Sequence, residues 1–291
     1  MSVDFQRVGI PTARLDAELL IAQALGCDRL ALYVDLERPL QNEELKRIRE
    51  LVIRRRQREP VAYILGRREF YGRQFEVTPA VLIPRPETET LVERALQVAA
   101  AGPCCRVLDL CTGSGAIAVT MVAENAQLTV DATDISEQAL QVARRNAVRH
   151  GVEPRVRFHQ GDLFSALPRD CASADAPGAA PLGFDLIACN PPYIASEQWQ
   201  QLAPEVAGFE PEIALRAGTG GLDFYRRICA EASDWLRRGG CLLLEVGYDQ
   251  AGAVSEMLRR STRFTSVTPF QDLAGIDRVL AARVTDGLKI S

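Results

Sequence analysis

From residue 106 onward, apolar residues come in short bursts separated by longer stretches in which they recur every three or four positions. The bursts are "RVLDL" (106–110), "TVDATD" (129–134), "RVRFHQ" (155–160), "FDLIAC" (184–189), "CLLLEVG" (241–247), "FTSVTPF" (264–270) and "DRVLAARV" (277–284). Short continuous apolar runs of this length predict strands buried on both faces. Helical spacing fills the gaps between the first five: a helix opening after Gly115, "SEQALQVARRNAVRHG" (136–151), a less regular segment after Tyr193, and "LDFYRRICAEASDWLRRGG" (222–240). Strand and helix in alternation is the rhythm of an α/β, doubly wound parallel sheet. Only a short turn separates the last two strands, which predicts an antiparallel pair at one edge of a seven-stranded sheet.

The first 66 residues have a different pattern. "TARLDAELLIAQALG" places Leu15, Leu19, Ala22 and Leu25 on one helical face, with Gly26 suited to the helix end. "NEELKRIRELVIRRRQREP" predicts a helix capped by Asn42, with Leu45, Ile48, Leu51 and Val52 inward and Pro60 beyond its end. Its cluster Arg54, Arg55, Arg56 and Arg58 reads as a solvated helix face, or else as a surface for a partner or RNA. A short helix at "VAYILG" follows. "EFYGRQFEV" (69–77) then alternates around Gly72 as a hairpin does, and "TPAVLIPRP" (78–86) is a Pro-punctuated connector. Helical spacing resumes at "PETETLVERALQVAA", with Leu91, Val92, Ala95 and Leu96 inward and acids in the first turn. The organisation expected is a helical domain over 1–66, a hairpin and connector over 67–86, and the α/β domain over 87–291. Residues 168–183, rich in Ala, Pro and Gly, are expected to form a mobile surface loop.

Composition narrows the chemistry. The chain is 291 residues long, 47% apolar and 25% charged, as soluble globular proteins are. No apolar run approaches the roughly 20 residues that span a bilayer, and "MSVDFQRVGIPTARLD" lacks the basic-then-apolar pattern of a signal peptide. Eight cysteines with no Cys-x-x-Cys pair suit thiols in a reducing cytoplasm. With only two histidines, His150 and His159, neither a zinc site nor a Ser-His-Asp triad is expected. Residues 1–86 carry 15 Lys+Arg and 12 Asp+Glu, a net of +3; the rest carries 19 and 26, a net of −7. That balance is a poor match for duplex DNA, whose binding needs many neutralised phosphates.

The candidate chemistry collects at the ends of the strands. "DLCTGSGAIA" (109–118) follows the first strand and opens a helix, and Gly113 and Gly115 allow a sharp turn and a close approach to a ligand. A Gly-x-Gly fragment is also an ordinary turn. It lacks the third glycine of the dinucleotide fingerprint and the Gly-Lys-Ser/Thr of a phosphate loop. The second strand ends at Asp134, 21 residues past Gly113, where a carboxylate can accept both hydroxyls of a ribose. Its alternative role, capping the next helix, is already filled by Ser136. The third strand leads into "GDLF", where Asp162 can accept from an adenine amino group, and Asp109 ends the first strand. Three carboxylates and a glycine turn suit a ribose, an adenine and a cation without phosphate. S-adenosylmethionine has those parts.

The fourth strand ends in "NPPYIAS" (190–196). Two prolines cannot continue a central strand, because they lack N–H donors and have fixed φ. Taken alone, the pair is a strand-terminating loop. Taken in the order "DLCTGSG", "TD", "GDLF", "NPPY", the chain resembles class I S-adenosylmethionine-dependent methyltransferases. With "LIPRPETE" (82–89) ahead of these, nearly the whole chain resembles the release-factor glutamine methyltransferases of the PrmC/HemK type.

The resemblance implies a cofactor site of Asp109, Cys111, Thr112, Gly113, Ser114, Gly115, Asp134, Asp162, Leu163 and Asn190, with no metal. Cys111 stands where many members have glycine, and Leu163 where some have tryptophan. It further implies a transfer site of Asn190, Pro191, Pro192 and Tyr193. There the Asn190 side-chain oxygen and the Pro191 carbonyl accept the two N–H groups of a planar nitrogen, and Tyr193 stacks on it. The implied partners are class I peptide chain release factors, methylated at the glutamine of Gly-Gly-Gln by a cytoplasmic monomer with no stable nucleic-acid binding and no membrane association. Two other targets share the turn: a glutamine of a large-subunit ribosomal protein, whose enzymes typically read "PRSPI" where this chain has Pro84-Arg85-Pro86-Glu87-Thr88, and the adenine amino group of nucleic acid.

Overall fold

A computed structural model describes residues 1–34, 37–102, 106–168 and 183–284. Most of the Ala/Pro/Gly-rich loop, residues 169–182, lies outside the described residues, as do Cys104, Cys105 and Cys171.

Five helices form the front of the chain: α1 (Ser2–Arg7), α2 (Ala13–Leu25), α3 (Ala31–Val34), α4 (Asn42–Arg56) and α5 (Val61–Leu65). The buried face of α2 is not the one its leucines predict. Ala13, Asp16, Ala17, Leu20, Ala22 and Ala24 are buried; of the four residues expected to face inward only Ala22 is fully buried, Leu19 and Leu25 are half-buried, and Leu15 is 40% exposed. An acid at the centre of that stripe disguises it, and Asp16 is accommodated because Arg55 of α4 pairs with its carboxylate at 2.7 Å. Buried charge of this kind persists only when paired. The arginine cluster is therefore divided: Arg55 is buried and Arg58 half-buried, while Arg54 and Arg56 keep much of their side chains in solvent. Arg55 is 4% exposed and reaches both Asp16 and Glu205; Arg58 donates to Glu205 and to the Val8 carbonyl; Arg54 pairs with Glu59 and Arg56 with Asp4. The cap of α4 is Gln41 rather than Asn42, its N–H donating to Glu44.

The hairpin β1 (Arg67–Phe70) and β2 (Arg73–Glu76) turns at Tyr71 and Gly72, both left-handed, as tight two-residue turns require. It is more than a connector. Phe70 and Phe75 sit fully buried in the apolar cluster that also holds Val107 and Val130 of the main sheet.

That sheet contains β3 (Arg106–Leu110), β4 (Thr129–Asp134), β5 (Val156–Gln160), β6 (Phe184–Cys189), β7 (Leu236–Glu245), β8 (Phe264–Gln271) and β9 (Asp277–Val284), in the order β5-β4-β3-β6-β7-β9-β8. The first five run parallel; β9 is antiparallel to β7 and to β8. Alternate residues serve opposite cores. On β7, Cys241 and Leu243 face the cluster holding α6 (Thr88–Ala100) and α7 (Ala116–Glu124), while Leu242 and Leu244 face that holding α10 (Asp223–Trp235) and α11 (Ala251–Arg260). The last of these helices is absent from the periodic reading, since its ten residues bury only Val254, Ser255 and Leu258. α8 (Glu137–Arg149) follows β4, and short turns with α9 (Pro204–Phe209) occupy the irregular stretch after Tyr193. Strand order reverses between β3 and β6, which opens a crevice at their carboxyl ends. No helix among the described residues is long and apolar enough to cross a membrane.

Candidate active site

The glycine loop is shaped from beneath. Asp109 is fully buried; it accepts from the Thr112 hydroxyl at 2.7 Å and from the Ala118 N–H at 3.1 Å, tying the loop to the first turn of α7. Burial pushes its carboxyl up to about 7. It thus braces the loop and does not line the crevice, contrary to the role expected of it. Thr112 is held by its N–H to the Thr133 carbonyl, and Ser114 is buried with its carbonyl accepting from Asn146.

Gly113, at φ +55°, presents open space where a Cβ would stand. Gly115, at φ +80°, packs so closely on α8 that a Cβ would lie 3.1 Å from that of Ala143. Cys111 also holds a left-handed φ of 59°, a conformation for which glycine is better suited.

Above the loop lies a cavity of about 190 Å³ lined by Cys111, Gly113, Asp134, Asp162, Leu163 and Asn190, among others. Asp134 ends β4 and accepts from the Gly113 N–H and the Ser136 N–H, both at 2.9 Å. Burial raises its carboxyl, and those backbone donors oppose the rise. Each carboxylate oxygen keeps further acceptor capacity. Asp162 also lines the cavity, and one of its carboxylate oxygens accepts from Arg227 of α10 at 2.7 Å. Leu163 is buried at φ +50°.

Sequence reading missed several walls of this cavity: Val81 and Leu82 from the Pro-rich segment, Ile213 after α9, and Phe224 and Arg227 from α10. The contact between Asp162 and Arg227 spans 65 positions and leaves no local trace.

Asn190, Pro191, Pro192 and Tyr193 follow β6 directly, and Asn190 and Pro192 line the same cavity as Gly113 and Asp134. Their turn is locked on its exit side. The Ile194 N–H donates to the Leu215 carbonyl, and Gln250 donates to the carbonyls of Tyr193 and Gly221 at 2.9 and 3.2 Å. Burial pushes the Tyr193 phenol up to about 12, so it stays neutral. The Asn190 side-chain N–H donates to the Thr88 hydroxyl at 3.1 Å, which leaves its oxygen as the free acceptor.

The residues present fit an S-adenosyl group: an acceptor for a diol at Asp134, an open glycine at Gly113, apolar walls, and Asn190 in the same lining. Arg227, the one arginine on the cavity wall among the described residues, is engaged with Asp162.

Comparison with known proteins gives a consistent result. A family described as the PrmC N-terminal domain matches residues 2–66, and one described as a methyltransferase domain matches residues 102–258. A protein of Geobacter sulfurreducens named release factor glutamine methyltransferase is 44% identical over 279 residues, 95% of this chain and 91% of that one. A namesake from Koribacter versatilis is 43% identical over 273 residues, 94% and 92% of the two chains. Among solved structures, the hMettl16 catalytic domain in complex with MAT2A 3′UTR hairpin 6 covers 79% of this chain and 81% of its own, with TM-score 0.56 and 18% identity, a likeness of fold alone.

Proposed function

The chain belongs to the release factor glutamine methyltransferase family, and from that premise we propose that it methylates the side-chain amide nitrogen of the glutamine in the Gly-Gly-Gln motif of class I peptide chain release factors. The observation that carries this reading is the sharing of one cavity by Asp134, Gly113 and two residues of the Asn190-Pro191-Pro192-Tyr193 turn, Asn190 and Pro192. S-adenosylmethionine, when bound, supplies an electrophilic methyl group on a sulfonium sulfur. Asp134 holds its ribose, and Leu163, Phe224 and Ile213 enclose its apolar faces.

An amide nitrogen is a poor nucleophile because its lone pair is delocalised into the carbonyl. Asn190 Oδ1 and the Pro191 carbonyl each accept one of its N–H groups, which favours a pyramidal nitrogen with its lone pair released from conjugation. Two prolines hold the turn before substrate arrives, so little ordering remains to be done at the moment of reaction. The neutral Tyr193 ring stacks on the flat amide and excludes water. No strong base is required, since a methylated amide still carrying its extra proton is acidic enough to lose it to water. This agrees with a transfer site that contains no histidine. In this reading residues 1–66 grip the protein substrate, residues 67–86 join them to the catalytic unit over 87–291, and the reaction takes place in the cytoplasm, where release factors act.

The test is single-turnover transfer from labelled S-adenosylmethionine to a full-length class I release factor, with the modified residue located by mass spectrometry. Methylation at the Gly-Gly-Gln glutamine is expected. Asn190→Ala should lower kcat by about 10²–10³, the scale seen when one preorganised hydrogen-bonding group is lost from a transition-state site. Asn190→Asp, still an acceptor, should be comparable or milder. Cofactor affinity should change much less than kcat in both. Wild-type turnover in a folded Asn190→Ala protein, or label appearing on a ribosomal protein or nucleic acid instead, overturns the proposal.

A further inference from the structure

The family signature "LIPRPETE" contributes more to this site than a connector. Its Thr88 begins α6, yet its hydroxyl meets the Asn190 side chain, 102 positions further along the chain, at 3.1 Å. The same hydroxyl hydrogen bonds to the carboxyl of Glu245, the last residue of β7. Thr88 is 5% exposed and Glu245 1%. We infer that Thr88 and Glu245 are positioning residues, which act through Asn190 to fix its carbonyl oxygen rather than its NH2 toward the transfer site. The inference rests on the function proposed above and deepens it.

The need for such a device follows from the shape of asparagine. The two ends of its amide are nearly equal in size and opposite in hydrogen-bonding sense. Turned over, Asn190 would offer N–H donors to a substrate amide that itself offers N–H donors, and the transfer site would repel what it must hold. Thr88 alone cannot choose between the two, because a hydroxyl both donates and accepts. Glu245 makes the choice. An ionised carboxyl only accepts, so the single Thr88 proton is committed to Glu245. Only lone pairs then face Asn190, and these can be met only by its NH2. The polarity passes from β7 through α6 to the turn after β6.

Two features make a purely structural role a poor account of Glu245. A buried carboxyl costs stability unless fully satisfied, yet its Oε2 has no hydrogen-bond partner. Its surroundings also leave it poised to titrate. Burial raises the carboxyl to about 7, while Thr88, Arg278 of β9 and Arg85 lower it and Glu87 raises it. From α10, Tyr225 donates its hydroxyl to the Glu245 main-chain carbonyl, and Tyr193 and Cys189 stand near enough to feel its charge. Once protonated, Glu245 can itself donate to Thr88, whose proton is then free to turn toward Asn190, and the choice is lost. Neither a sulfonium nor a carboxamide titrates near neutrality. Asp109, the other carboxyl raised to about 7, braces the glycine loop, so its titration acts on S-adenosylmethionine affinity; an acid limb in kcat at saturating cofactor belongs to Glu245.

The experiment uses the full chain and full-length release factor, with Thr88→Val, Thr88→Ser and Glu245→Gln. Single-turnover methylation is followed from pH 5.5 to 8.5, and S-adenosylmethionine affinity is measured separately by calorimetry. Thr88→Val, equal in shape but without the hydroxyl, should lower kcat about tenfold, the worth of one net hydrogen bond, with KM and cofactor affinity unchanged. Thr88→Ser should recover most of the loss, and Glu245→Gln should abolish the acid limb. Wild-type kcat in Thr88→Val, or an acid limb that persists in Glu245→Gln, overturns the inference.

The side-chain amide resonance of Asn190, identified by its loss in Asn190→Asp, reports on the same contact without turnover. It should shift and exchange faster with solvent in Thr88→Val than in wild type, and an unmoved signal also overturns the inference. If wild type fails to methylate release factor while this resonance responds as expected, the substrate assignment fails and the positioning stands.

Discussion

Replacing Asp134 by alanine separates the two roles that the structure gives this carboxylate. In one, its oxygens accept from the Gly113 and Ser136 N–H groups at 2.9 Å and hold the glycine loop. In the other, its remaining acceptor capacity faces the cavity. Hydrogen bonds to a charged group are each worth about 1.5–3 kcal/mol, but water admitted by the smaller side chain recovers part of a two-bond loss. A net cost of about 1.5–3 kcal/mol in S-adenosylmethionine binding is expected, a Kd raised about 10- to 150-fold. The lost bracing acts on the protein itself and should lower its stability by about 1–3 kcal/mol, the cost of leaving backbone donors without acceptors. Calorimetric titration well below the melting temperature measures the first effect, and thermal unfolding without cofactor measures the second. Asp134→Asn, which keeps one acceptor oxygen and loses the charge, should fall between wild type and alanine in affinity. Affinity within twofold of wild type in a folded Asp134→Ala protein would refute the assignment, because no other side chain at the end of β4 offers the diol a carboxylate.

Other outcomes follow from particular contacts. Glu205→Ala should destabilise the protein by about 2–4 kcal/mol in denaturant unfolding, because it strips a partner from the buried Arg55 and from Arg58. Arg54→Ala, which breaks a half-exposed pair with Glu59, should cost less than about 1 kcal/mol. Gly115→Ala should lower the melting temperature by several degrees, since the new methyl meets Ala143 at a backbone φ of +80°; an unchanged melting temperature would contradict that packing. Glu245→Gln should change the pH dependence of stability. The wild-type carboxyl is raised from 4.5 to about 7 by burial, so its contribution is fully present below about pH 4.5 and is lost as pH rises through 7. The variant should accordingly gain on wild type between those limits, by up to about 3 kcal/mol. A stability difference that stays constant from pH 4.5 to 8 would show that Glu245 does not titrate there.

Much of this molecule was legible in its sequence, for a definable reason. Strands such as Phe184–Cys189 and the Leu242–Leu244 stretch of β7 are buried on both faces and so appear as unbroken apolar runs, whatever their partners. Once those strands are parallel, their carboxyl ends must share one edge. Gly113, Asp134, Asp162 and Asn190, spread over almost eighty positions, were thereby bound to meet. The double proline announced a rigid turn through its own covalent geometry.

What tertiary structure alone decided are the pairings of polar groups across long separations. Asp16 with Arg55 set the buried face of α2, with Leu20 inward and Leu15 exposed; Arg55 and Arg58 with Glu205 drew part of a basic cluster into a buried contact; Arg227 paired with Asp162; and Thr88 with Glu245 gave Asn190 its orientation. Burial leaves a periodic signature because each apolar residue responds to water independently. A buried polar residue is tolerable only once its particular partner arrives, and where that partner stands is a property of the fold rather than of any local stretch of chain.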